Sequence, residues 1–145
     1  LASNSGCDHV INYNEQDFVE EVKKITKGEG VSVVYDAVGK TTFMKSLQCL
    51  RPLGMMISYG QSSGMVPPVN IMTLAAKSLY LTRPTLSVYK QDRMEMCLTA
   101  VEIFKRIYEG KLTPSIAATY PLEEAARAHA DLQGRKTLGS VILKV

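Results

Sequence analysis

The sequence predicts an α/β fold built on a parallel sheet, and three observations carry that prediction. A β-branched run, Val31-Ser32-Val33-Val34-Tyr35, ends in Asp36-Ala37-Val38-Gly39. A buried parallel strand that stops at a ligand crevice reads this way. A second apolar run, Met55-Met56-Ile57-Ser58-Tyr59, stops in the same manner at Gly60-Gln61-Ser62-Ser63-Gly64. Segments of helical period alternate with these runs over short connections, the mark of parallel βαβ units with right-handed crossovers. In open α/β sheets ligands bind outside the carboxyl ends of the strands. Two ends rich in glycine and small polar residues therefore suggest half of a dinucleotide site.

Taken in order, Leu1 to Asp8 reads as the end of a helix and a turn at Gly6. Val10-Ile11 is expected to form a very short strand leading to Asn12-Tyr13. Residues 14–27 predict a helix, with Asn14 as cap and Asp17 three residues on. Phe18, Val22 and Ile25 share its inner face, and Glu20, Glu21, Lys23 and Lys24 face water. Gly28 supplies the stop. After the strand at 31–35, residues 41–50 predict a helix with Phe43, Leu47 and Leu50 inward. Arg51-Pro52-Leu53-Gly54 reads as a turn before the strand at 55–59. A polar loop over 61–68 and a short helix over 70–77 precede a further strand from Ser78 to Thr82. Pro84 cannot donate to a ladder, so this strand stops there or lies at an edge.

The longest helix is expected over 93–109, with Met94, Cys97, Val101, Phe104 and Tyr108 on one apolar face and Gly110 as stop signal. Residues 111–119 read as the least structured stretch, a crossing between layers. Pro121, with Glu123 and Glu124 in the first turn, starts a helix over 122–132 that Gly134 ends. Residues 139–145 alternate as a last strand, with Val141, Leu143 and Val145 pointing one way.

Composition excludes several classes of function. A length of 145 residues makes one domain the default. A net charge of +3 is too small and too scattered for a nucleic-acid footprint. No run approaches the ~18 apolar residues of a membrane span, and no charged-then-apolar leader opens the sequence. Cys7, Cys49 and Cys97 are odd in number and widely spaced, so they read as small buried thiols of a reducing cytoplasm. His9 and His129 are the only histidines, too poor a supply for a metal site. There is no G-x-G-x-x-G anywhere.

A series of short motifs, in order, carries a resemblance. It runs Asp8-His9-Val10-Ile11-Asn12-Tyr13, Val33-Val34-Tyr35-Asp36-Ala37-Val38-Gly39, Tyr59-Gly60-Gln61-Ser62-Ser63-Gly64 and Leu81-Thr82-Arg83-Pro84-Thr85. Tyr120-Pro121-Leu122-Glu123-Glu124-Ala125, Ala128-His129 and Gly134-Arg135-Lys136-Thr137-Leu138-Gly139-Ser140 complete it. The chain resembles, over essentially its whole length, the C-terminal part of zinc-independent medium-chain quinone oxidoreductases, the zeta-crystallin-like NADPH:quinone reductases.

That resemblance implies a Rossmann-type parallel sheet flanked by helices and incomplete at its N-terminal side, the glycine-rich first βα unit being absent. Residues 1–110 would be part of a nucleotide-binding domain. Residues 111–145 would be a return segment whose last strand belongs to an absent GroES-like catalytic domain. The implied reaction is hydride transfer from NADPH to a quinone without zinc, in a cytoplasmic homodimer paired through the edge strand from Ser78 to Thr82. The chain alone would be inactive. The competing reading is a non-catalytic dinucleotide- or RNA-binding, or dimerisation, module of the zeta-crystallin type.

The resemblance also implies cofactor-binding residues, each with a plainer alternative. Tyr13 would lie near the adenosine phosphate end; otherwise it is a surface tyrosine at a turn. Ala37, Val38 and Gly39 would let backbone approach the ligand, though a tight strand–helix connection needs glycine too. Tyr59, Gly60, Gln61 and Ser62 match positions lining the nicotinamide half, where Gln61 can donate or accept; solvated loop polarity is the alternative. Thr82, Arg83 and Pro84 match the segment beside the nicotinamide riboside, against a merely solvated arginine. Arg135 matches a basic residue at the C-terminal return, with Lys136 competing and exposed charge as the alternative. Asp36 reads as a strand-end hydrogen-bonding residue, because the acidic ribose ligand belongs ~20 residues after the glycines of the missing turn. No acid–base pair or nucleophile triad is present, so no catalytic residue is named.

Overall fold

The computed structural model describes residues 2–134 and 136–145. The chain divides into two compact units, one spanning Gly6–Lys90 and the other holding Gln91–Val145 with the first few residues.

The first unit is a three-stranded parallel sheet: β1 (Val31–Asp36), β2 (Leu50–Ser58) and β3 (Tyr80–Thr82), in that spatial order. Tyr35 lies opposite Ile57 and Asp36 opposite Ser58, while Ile57 lies opposite Thr82. Helices α1 (Phe18–Ile25), α2 (Phe43–Gln48), α3 (Met72–Ala75) and α4 (Leu86–Tyr89) complete it. The apolar stripe of α2 explains the core: Phe43 and Leu47 pack with Leu50 and Met56, both 0% exposed. Val34, Val66 and Leu79 close around them. Strand alternation sends Val33, Tyr35 and Met55 to the opposite face, where all three are exposed.

Several expectations are corrected here. Val10-Ile11 forms no strand, because no second strand lies beside it among the described residues to complete a ladder. The first helix begins at Phe18 instead of Asn14. Asp17 is its cap, its Oδ1 accepting from Val19 N at 2.9 Å. Asn12 instead organises the preceding turn, accepting from Asn14 N at its side chain and from Glu15 N and Gln16 N at its carbonyl. Gly28 ends α1 as expected, donating to Lys23 O at 2.7 Å with φ +87°. The helix expected over 41–50 is shorter, and Leu50 already opens β2. Arg51 to Gly54 is a bulge inside that strand: Val31 pairs with Leu50, yet Val33 pairs with Met55. Leu53 takes φ +60° to make it.

The second unit holds α5 (Arg93–Tyr108) and a βαβ unit made of β4 (Ile116–Pro121), α6 (Ala125–Gln133) and β5 (Ser140–Lys144). The two strands are parallel, Tyr120 opposite Leu143. The crossing expected over 111–119 is thus half wrong, since Ile116 begins a strand that pairs with Ser140 far along the chain. A short apolar-polar run gives no local sign of such a partner. A 3-10 turn over Leu122–Glu124 precedes α6. The expected apolar face of α5 exists as a stripe but is uncovered, with no buried residue in the helix. Nor are all the thiols buried: Cys49 is, whereas Cys7 and Cys97 are exposed.

Candidate functional site

The parallel pairing of β1 and β2 puts the loops that follow them on the same rim, side by side. Both strands end level, so Asp36 O accepts from Tyr59 N at 2.9 Å and from Gly60 N at 3.2 Å. The loops then continue to bond each other. Ser62 N donates to Ala37 O at 3.2 Å and Ser63 N to Val38 O at 2.8 Å. Ser63 Oγ also donates to Val38 O at 2.7 Å and accepts from Thr41 N at 3.1 Å.

Glycine is required twice by this contact. A Cβ at Gly60 would clash with Ala37 O and stand 2.7 Å from Ala37 Cα. Gly39 has φ +86°, and a Cβ there would stand 2.9 Å from Gln61 Cα. These two glycines therefore permit the close packing of one loop on the other.

The turn itself is built on Asp36, which is 4% exposed. Its Oδ1 accepts from Val38 N at 2.8 Å and Gly39 N at 2.9 Å. Its Oδ2 accepts from Thr42 Oγ1 and Ser46 Oγ, each at 2.8 Å. Burial pushes the carboxyl pKa up, but the Gly39 amide, the two hydroxyls and the Val38 amide outweigh it and hold the group below the ordinary aspartate value. By contrast, burial raises the Cys49 thiol, which is therefore kept protonated.

The sequence-predicted residues fall around three hollows of this unit. Gly60, Gln61 and Arg83 line one of about 220 Å³ with Phe43, Met65 and Leu81. Tyr13, Ala37 and Val38 line another of about 260 Å³, where the Tyr13 ring meets Phe18 edge-on at 6.5 Å. Tyr59 and Pro84 line a third of about 420 Å³ with Tyr35, Leu86 and Tyr89, Tyr59 standing edge-on to Tyr35 at 6.4 Å. Thr82 is half-buried beside Arg83, and Ser62 is exposed on the rim. Arg83 is not simply solvated: its Nη1 donates to Ser58 O at 2.7 Å, which ties β3 to the carboxyl end of β2. Lys136, in the second unit, is ion-paired to Asp131 at 3.0 Å. Arg135 lies outside the described residues.

Three participants were not among the candidates: Asp36, whose acceptor pattern is above, Ser63, which staples the loops, and Phe18 beneath Tyr13. The sequence does carry a signal for the first. An Asp two and three residues before turn amides, followed by Thr42 and Ser46 one helical turn apart, is the spacing of a carboxylate that gathers donors.

Adjacent parallel strands ending level, with loops rich in glycine and small polar residues at that rim, define the Rossmann-type α/β class. Comparison with known proteins makes this more specific. A family model described as "Zinc-binding dehydrogenase" matches residues 5–143. The 2-haloacrylate reductase of a Burkholderia species is 47% identical over 140 residues, covering 95% of this chain and 42% of that protein. Quinone oxidoreductase 1 of Escherichia coli is 46% identical over 145 residues, covering 98% of this chain and 44% of that protein. The solved structure of E. coli quinone oxidoreductase complexed with NADPH superposes with a TM-score of 0.93 at 45% identity, covering 99% of this chain and 45% of that one. The chain belongs to the zinc-binding dehydrogenase family. It spans less than half the length of the curated relatives it matches.

Proposed function

We propose that the full-length protein is an NADPH-dependent quinone oxidoreductase and that this chain is part of its cofactor domain. The observation that carries the reading is the shared rim after β1 and β2, together with its likeness to a quinone oxidoreductase crystallised with NADPH. The donor set fits a nicotinamide dinucleotide: an exposed Gln61 amide, the Ser62 hydroxyl and the Arg83 guanidinium stand at one rim, with the small residues Ala37, Val38 and Gly39 beside them. Bound there, NADPH supplies a hydride, so that quinone plus NADPH and one proton gives hydroquinone and NADP+.

The chain's own residues bind and orient. Gln61 offers a donor and an acceptor suited to a carboxamide. Arg83, held by Ser58 O, offers its remaining N–H groups to phosphate or ribose oxygens. Tyr13 over Phe18 gives an aromatic wall toward the adenosine end. Tyr59, Thr82 and Pro84 would border the nicotinamide side, and Arg135 is kept as a candidate basic contact to the cofactor. Residues 1–110 would form part of the nucleotide-binding domain, and 111–145 would lead back to a GroES-like catalytic domain. A quinone carbonyl is electrophilic enough to take hydride without a Lewis acid, which is the ground for proposing a zinc-free reaction.

A second reading is favoured by the likeness to 2-haloacrylate reductase. Haloacrylate and quinone share one chemistry, an electron-poor double bond conjugated to a carbonyl carbon. Pairing of two copies through β3, which has a neighbour on one side only among the described residues, gives the proposed homodimer. No helix among the described residues is long and apolar enough to cross a membrane. A cytoplasmic location accords with three free cysteines.

The test is NADPH fluorescence and absorbance with the full-length protein. Binding followed by oxidation when a benzoquinone is added supports the reductase. Oxidation by 2-chloroacrylate but by no quinone supports the second reading. Binding without oxidation by either acceptor leaves the non-catalytic module as the better account. The 145-residue chain, which holds no G-x-G-x-x-G turn, is expected to show no turnover.

A further inference from the structure

We propose that Asp36 is the positioning residue of the rim: its carboxylate fixes residues 37–39, and through their carbonyls it sets where the loop at 60–63 presents Gln61 and Ser62. The inference rests on the NADPH reading above for its functional part. A carboxylate is an acceptor-only group with about four lone-pair sites. Asp36 fills four, two from turn amides and two from hydroxyls on α2. No other side chain could serve this set. Asparagine would turn an N–H₂ toward one pair of donors. Glutamate, one methylene longer, would not fit a site 4% exposed and closed by Thr42 and Ser46.

The carbonyls released by this arrangement are the ones the second loop uses. With Val38 N and Gly39 N turned inward to Asp36, Ala37 O and Val38 O face Ser62 and Ser63. The main-chain oxygen of Asp36 meanwhile receives Tyr59 N and Gly60 N. One residue thus connects α2, the turn after β1 and the loop after β2. Asp36 touches none of the proposed ligand atoms; it acts through the backbone. The same role would not be met by a cation, because all four bonds arrive from donors.

The experiment uses the full-length protein with Asp36→Asn and the milder Ser46→Ala. Lys77→Met, which removes donation to Gln48 O and Leu50 O at the opposite end of the strands, is the stability control. Asp36→Asn is expected to raise the NADPH KM roughly tenfold, the loss of about one charge-assisted hydrogen bond, while kcat stays within about twofold. Ser46→Ala should raise KM by roughly threefold. Amide hydrogen exchange should quicken at Gly39, Ser62 and Ser63 in both variants and not in Lys77→Met. An unchanged KM in Asp36→Asn, or an equal rise in Lys77→Met, overturns the proposal. If the wild type binds no NADPH, the functional reading fails by itself. The exchange data then still decide the positioning: quickening confined to the Asp36 and Ser46 variants upholds it, and its absence overturns it.

Discussion

The two units differ in what their apolar stripes achieve. In Gly6–Lys90 the stripe of α2 lies on the sheet, and Leu50 and Met56 lose all contact with water. In Gln91–Val145 the longer stripe of α5 stays open, with Val101 at 63%, Phe104 at 68% and Tyr108 at 93% exposure. Ala128 is the only buried apolar residue described in that unit. A periodic pattern declares which face seeks cover; it does not supply the layer that covers it. The helix of six residues is therefore core and the helix of sixteen is surface in this chain.

The largest expected effect tests that contrast directly. Leu50→Ala should cost about 3 kcal/mol in urea unfolding, as a fully buried leucine does. Leu98→Ala on α5, at 63% exposure, should cost less than about 0.5 kcal/mol. Equal losses would show that the α5 stripe is covered after all and would remove the contrast.

Gly60→Ala comes next. Its Cβ meets main chain on the neighbouring loop, so nothing flexible can yield, and about 2 kcal/mol of stability should go, along with NADPH binding. Gly110→Ala is the matched change in the other unit, where a Cβ would meet nothing within 4 Å. Its strain comes only from φ +68°, and about 1 kcal/mol is expected. A reversal of that order would argue that the two loops are not packed together in solution.

Capping gives a smaller and more even effect. Asp92 caps α5 by accepting from Glu95 N at 2.8 Å, and Asp17 caps α1. Each change to alanine should cost about 1 kcal/mol, because a cap is a local contact that needs no covering layer. Thermal unfolding that shows a much larger cost at Asp17 would trace to its added ion pair with Lys45 at 2.7 Å.

Acid sensitivity is the subtlest of the four. Asp36 is held below its unfolded value, so its contribution is complete above about pH 4 and fades as pH falls through the lower folded value. The wild type should therefore lose stability more steeply than Asp36→Asn as pH falls below about 4 in urea titrations. Parallel curves would mean that the folded and unfolded carboxyls titrate alike.

The shared rim was legible because parallel strands end in a recognisable way. Val31-Ser32-Val33-Val34-Tyr35 and Met55-Met56-Ile57-Ser58-Tyr59 each carry a β-branched or apolar run, an end and a glycine turn, and these are local features. β4 was missed for the opposite reason. Ile116-Ala117-Ala118-Thr119 has no strong pattern of its own and becomes a strand through Ser140 and Val141 far downstream. Helix starts shifted where two residues could cap: Asn14 and Asp17 have similar chemistry, and only the turn made by Asn12 settles which one does so.

What the amino-acid order determined by itself was the alternation of elements, the rim residues and the face that each helix wishes to bury. Those follow from short-range sterics, from side-chain period and from the needs of tight turns. Which faces found cover, and which carbonyls Ser62 and Ser63 would reach, were decided only in three dimensions. Such contacts join residues distant along the chain, and no local preference encodes the partner.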